Sequence, residues 1–167
     1  MKNLFLKRTE MKWLALGAAF SLFFLLETHV SADTAKEIPF PELPKGAGKI
    51  DADAPKAFTQ TPSGLKYRVL RKSPGAKARA SDTVKVNYHG WIPNGKVFDS
   101  SYQRNEPISF GLNQVIAGWT EGMQLVGQGG MIELLIPSDL GYGDRGMPPV
   151  IPPKATLSFL VELLQVQ

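Results

Sequence analysis

The chain has no cysteine in its 167 residues, which excludes disulfides, thiolate metal sites and a cysteine nucleophile. Histidine is almost as scarce. His29 and His89 are the only two, so no clustered set of metal ligands can be drawn, and no nucleophile–base pairing forms around His89 to suggest a hydrolase. Excess charge is also small. The formal net charge is +4, and four of the 19 basic residues fall before position 33 with two of the 15 acidic ones, leaving +2 on the rest. No Lys/Arg run is interleaved with aromatics, so nucleic-acid binding is not expected. No internal repeat is visible, which argues against a repetitive structural or adhesive protein.

What is plentiful is glycine and proline, 16 and 13 residues, which favours a turn-rich, strand-built fold over a helical bundle. Lys2, Lys7, Arg8 and Lys12 precede the apolar run Trp13 to Leu26, and Val30-Ser31-Ala32 follows it. That is the pattern of a secretory signal peptide, with cleavage expected after Ala32. A spanning helix wants about 20 apolar residues, and this run is shorter, so no stable membrane insertion is expected after cleavage. An uncleaved anchor is the alternative. Export implies a periplasmic or extracellular setting if the source is bacterial. Residues 33–63 carry Pro39, Pro41, Pro44, Pro55 and Pro62 with few large apolar residues and no sustained period. They read as an extended, poorly ordered linker.

The folded domain is expected over 64–167. Leu65, Tyr67 and Val69 alternate with Lys66, Arg68 and Leu70, predicting a half-buried strand. Val84, Val86 and Tyr88 alternate more cleanly with Lys85, Asn87 and His89, and His89 is expected to be exposed. Pro93-Asn94-Gly95-Lys96 marks a turn, because Asn-Gly reaches positive φ cheaply. Further strands are predicted at Val97-Phe98, Ile108 to Phe110, Met131 to Ile136 and Thr156 to Val166. One segment alone has helical spacing, with Ile116, Trp119, Met123 and Val126 on a single face. Gly118 and Gly122 each cost such a helix about 1 kcal/mol relative to alanine, so it needs tertiary packing, and small residues permit close approach to a sheet. The fold class is therefore α+β, with antiparallel strands packed on one short helix.

Five collinear blocks then stand out. They are Val84 to Gly90, Gly95 to Ser101, Val115 to Gly122, Pro137 to Gly143 and Ile151 to Phe159. In this order and spacing they resemble the FKBP-type peptidyl-prolyl cis-trans isomerases, the macrolide-binding immunophilins, from about Gly64 to Val166. The resemblance implies a curved antiparallel sheet wrapped around the helix, with an apolar pocket between them and no cofactor or metal. It makes Trp119 the floor of that pocket, with Tyr88, Phe98, Phe110, Val115, Ile116, Ile151 and Phe159 around it. Tyr142 would donate its hydroxyl to a substrate carbonyl. Asp99 would either face the rotating carbonyl or orient Tyr88, and the residues alone do not choose. Ile108 and Met147 stand where the family commonly has an aromatic and a histidine, which bears on substrate and inhibitor preference. The implied partners are proline-containing polypeptides and macrolide inhibitors. Two other uses of the same pocket stay open, a non-catalytic module holding proline segments and a folding helper. Between Tyr88 and Thr156 there is no room for a large added flap, and a monomer is expected.

Overall fold

The computed structural model describes residues 38–167; the expected leader lies outside the described residues. The clean alternation in the sequence becomes β3 (Thr83–Trp91), whose Val84, Val86 and Tyr88 are buried. Period-two burial of this kind is what a strand shows when one face meets a core. The other strands are β1 (Thr59–Gln60), β2 (Lys66–Arg71), β4 (Val97–Ser100), β5 (Ile108–Gly111), β6 (Met131–Ile136) and β7 (Leu157–Val166). They form one antiparallel sheet ordered β1-β2-β6-β7-β3-β4, with β5 also pairing with β3. One edge of β3 is thus shared: His89 to Trp91 pair with β4, and Thr83 to Val86 pair with β5. Between those two partners the chain leaves the sheet as α1 (Ser101–Arg104), a single turn that the sequence reading missed. Ser100 caps it, accepting from the Gln103 amide.

The predicted helix is α2 (Ala117–Gly122), and its Trp119 is buried together with Met123 and Val126 in the turns that follow. Its glycines act as expected. A Cβ on Gly118 would collide with Ile136, and one on Gly122 would sit 2.7 Å from Leu134, so alanine at either place would push the helix off β6. The main core lies between this helix and the concave face of the sheet and includes Val86, Tyr88, Leu134, Ile136, Phe159 and Val161.

The reading of β2 and of the preceding segment needs correction. Arg68 and Leu70, which alternate with Tyr67 and Val69 in a strand expected to be half-buried, are themselves buried, whereas Tyr67 and Val69 are only half-buried. The reason is that residues 38–58 do not hang free as a linker but lie as a strap across the convex face of the sheet. Ile50 of the strap packs with Trp91 on Leu70, Met131 and Leu160. The Arg68 guanidinium donates through Nε to Glu133 at 2.6 Å, and through its Nη atoms to the carbonyls of Ile38, Pro39 and Lys56, each at 2.7 Å. The rings of Phe40 and Phe58 cover it at 4.7 and 4.5 Å. The Asp51 amide donates to the Leu70 carbonyl at 2.8 Å, and the Asp51 carboxylate accepts from the Lys72 amide at 2.8 Å. A proline-rich stretch poor in large apolar residues is held here by hydrogen bonds to its carbonyls, which composition does not register.

Candidate functional site

At one end of the concave face, between α2 and the sheet, is a cavity of about 450 Å³. Five elements supply its walls. Tyr88 comes from β3, Phe98 and Asp99 from β4, Phe110 from β5, Trp119 from α2 and Phe159 from β7. Gln114, Val115, Ile116 and Tyr142 close the sides from the connecting loops. Trp119 is the hub of the aromatic set, meeting Tyr88, Phe110 and Phe159 edge-on with ring centroids 5.5, 5.6 and 5.3 Å away. Phe98 meets Phe159 in the same manner at 5.3 Å. Each edge-to-face contact contributes about 0.5–1.5 kcal/mol beyond burial, so the rings hold each other in a fixed cage.

The polar groups sit along one wall. The Tyr88 hydroxyl donates to Asp99 Oδ2 and accepts from Arg104 Nη2 at 2.9 Å, while Arg104 Nη1 pairs with Asp99 Oδ1. Geometry here favours one of the two options for Asp99, that of orienting Tyr88. Arg104 is not among the expected residues, because its place beside Asp99 depends on α1 interrupting the sheet after β4. Burial pushes the Asp99 carboxyl up, but the hydrogen bonds from Tyr88 and Arg104 and the guanidinium charge outweigh it, leaving the carboxyl below its ordinary value. Burial raises the Tyr88 hydroxyl, and its bond to Asp99 raises it further. Tyr142, 38% exposed, is raised by burial and then by the Asp99 charge. The site therefore holds one carboxylate beside two protonated phenols. Among the described residues no group of three or more His, Asp or Glu side chains is placed to hold a metal.

A family model described as FKBP-type peptidyl-prolyl cis-trans isomerase matches residues 75–164, more than half of the sequence. The chain belongs to this family. A probable FKBP-type isomerase of Haemophilus influenzae is 53% identical over 66% of this chain and 46% of its own length. The FKBP-type 22 kDa peptidyl-prolyl cis-trans isomerase of Escherichia coli is 41% identical over 85% of this chain and 70% of its own. Among solved structures, the crystal structure of FkpA from Escherichia coli superposes with a TM-score of 0.64 at 49% identity, covering 66% of this chain and 51% of that one. The chain spans under half the length of the Haemophilus relative and about half of the FkpA chain.

Nine of the ten residues that the FKBP resemblance proposed line the cavity. Ile151 does not. It lies fully buried in the core, tied to Met147 by a pair of backbone hydrogen bonds of 2.9 Å, at the foot of the loop that carries Tyr142. Gln114 takes a place on the wall that no pattern singled out. Ile108 and Met147 stay outside the lining and are 36% and 42% exposed. His89 is not the exposed residue expected. It is half-buried on the convex face, with Nδ1 3.1 Å from Ser100 Oγ and its ring tilted on Trp91, and burial lowers its pKa.

Proposed function

We propose that this protein is a peptidyl-prolyl cis-trans isomerase that takes proline-containing segments of polypeptides into the aromatic cavity. An X-Pro bond rotates over about 18–20 kcal/mol because rotation destroys amide resonance. No bond is broken, so the protein need only hold the twisted amide more tightly than the planar one. The twisted carbonyl has lost charge separation, and a water-poor aromatic cage penalises it less. Each tenfold of rate needs about 1.4 kcal/mol of that difference.

The observation that carries this reading is the cage itself, three aromatic rings set edge-on around Trp119 and Phe98 set on one of them, with the Tyr88–Asp99–Arg104 group beside it. Trp119 is the floor for the proline ring. Tyr142 donates to a substrate carbonyl, and Asp99 fixes Tyr88 at the wall. No step calls for a metal or cofactor. Macrolide inhibitors would occupy the same space. We further propose that the protein works after export, as a monomer, with the leader removed at Ala32. Among the described residues no helix is long and apolar enough to cross a membrane.

The second reading is a module that holds proline segments without turning them over, and the exposed Ile108, Tyr142 and Met147 favour it as a landing surface. One experiment separates the two. Cis-to-trans relaxation of a short X-Pro peptide is followed with the full chain, with and without a macrolide. Acceleration abolished by the macrolide is the expected result. Macrolide binding without acceleration would refute catalysis and leave the holding module.

A further inference from the structure

The strap and the catalytic wall meet at one buried carboxylate. Glu162 of β7 lies on the convex face, opposite Asn87 in the register of β3, and is only 5% exposed. It accepts three hydrogen bonds from three different parts of the chain. Tyr102 Oη of α1 donates to Oε2 at 2.6 Å, while Arg71 Nη2 of β2 and the Gly48 amide of the strap donate to Oε1 at 2.9 and 3.0 Å. Arg71 Nη1 reaches the Lys49 carbonyl as well, at 3.4 Å. Strap, sheet and α1 are thus joined at a single point.

What α1 carries makes this point matter to the site. Asp99 lies two residues before it in β4 and Arg104 is its last residue, so this turn holds one partner of the Tyr88 hydroxyl and follows directly on the other. A four-residue helix has no length to hold itself in place. Its anchors are Ser101, which accepts from the Tyr88 amide at 2.8 Å and donates to Asn87 at 3.1 Å, and Tyr102 on Glu162. We infer that Glu162, acting through Tyr102, is a positioning residue for the Asp99–Arg104 pair, and that the strap at Gly48 is part of the scaffold of the active site. This rests on the isomerase reading above for its effect on rate, but not for its effect on the geometry of α1.

Gly48 supplies a probe that touches neither the cavity nor α1. A Cβ there would run into Arg71 Nη1 and come within 2.6 Å of Glu162 Oε1, displacing the hub from the strap side. The test compares the full chain with Tyr102→Phe, Gly48→Ala, Arg104→Ala and the Tyr102→Phe/Arg104→Ala double variant. Peptide relaxation gives kcat/KM, and NMR follows the backbone amides of residues 99–104. Tyr102→Phe is expected to lower kcat/KM about tenfold, the scale on which small misplacements act, and to shift those amides. Gly48→Ala is expected to act in the same direction, more weakly. The double variant should be no worse than Arg104→Ala alone, because the two changes act through one arrangement. Unchanged amides in a folded Tyr102→Phe protein, or losses that multiply in the double variant, would overturn the inference. If Tyr102→Phe does not fold, Gly48→Ala decides on the same amides. A wild-type protein without turnover would refute the isomerase reading, while the amide shifts would still decide the positioning role.

Discussion

Replacing Arg68 by methionine tests whether the strap is held by charge or merely rests on the sheet. The arginine side chain is wholly buried and that of Glu133 nearly so. Methionine keeps most of the apolar stem but takes the arginine partner from Glu133 and the arginine donor from three strap carbonyls. Removing one partner of a buried pair costs about 3–5 kcal/mol, because the remaining charge stays in a low-dielectric site. The carbonyls of residues 38, 39 and 56 add little, since a loosened strap can turn them to water. An expected loss near 4 kcal/mol corresponds to a fall in Tm of roughly 12–16 °C for a domain of this size.

The assay is urea unfolding at two pH values, with Glu133→Gln and the double change Arg68→Met/Glu133→Leu as controls. Burial pushes the Glu133 carboxyl above its ordinary value, with Arg68 opposing. A raised native pKa means that this group's contribution is complete at low pH and is lost as pH rises through the native value. Without Arg68 the native value climbs further, so Arg68→Met should cost more at pH 7.5 than near pH 5, closer to the range in which glutamates take a proton. The double change should recover most of the stability, because well-packed apolar side chains often match a buried pair. A loss below about 1 kcal/mol for Arg68→Met, or a double variant no better than the single, would refute this account of the strap.

Two other outcomes follow from the cavity. A Cβ on Gly90 would sit 2.7 Å from Phe98 and 2.8 Å from Phe159, both of them wall residues. Gly90→Ala is therefore expected to cost about 1–3 kcal/mol in unfolding experiments and to weaken macrolide binding at the same time; unchanged affinity would show that these rings are free to yield. Asp99 is held below its ordinary pKa and Tyr88 above its own. A depressed carboxyl loses its contribution only as pH falls through the native value, and a raised phenol stays protonated past its ordinary one. Between about pH 5 and 9 the arrangement keeps one charge state, and kcat/KM on a peptide without titrating groups should be flat there. A bell-shaped profile within that window would show that another group governs the rate.

Why the concave side of this protein was legible and the convex side was not has a physical cause. Residues such as Val86, Tyr88 and Trp119 declare themselves because one-sided burial imposes a period of two or of 3.6, and the same rule placed β3 and found α2, which is shorter than the spacing from Ile116 to Val126 implied. On the convex side the burial is done by the strap, and the strap is bound through backbone carbonyls and amides, which every residue possesses and no pattern marks. Arg68 and Glu162 are charges that no period singles out, and they are two of the points on which that cover is fastened. The site shows the same division. Its apolar members were read from spacing and resemblance, but Arg104 was missed because its role depends on α1 breaking out of the sheet between β4 and β5. A break of that kind leaves Arg104 on a turn too short to support itself, and part of its support then comes from the far face of the sheet, through Tyr102 and Glu162. The half of the molecule that sequence periodicity fails to describe is then also the half that holds the polar wall of the cavity in register.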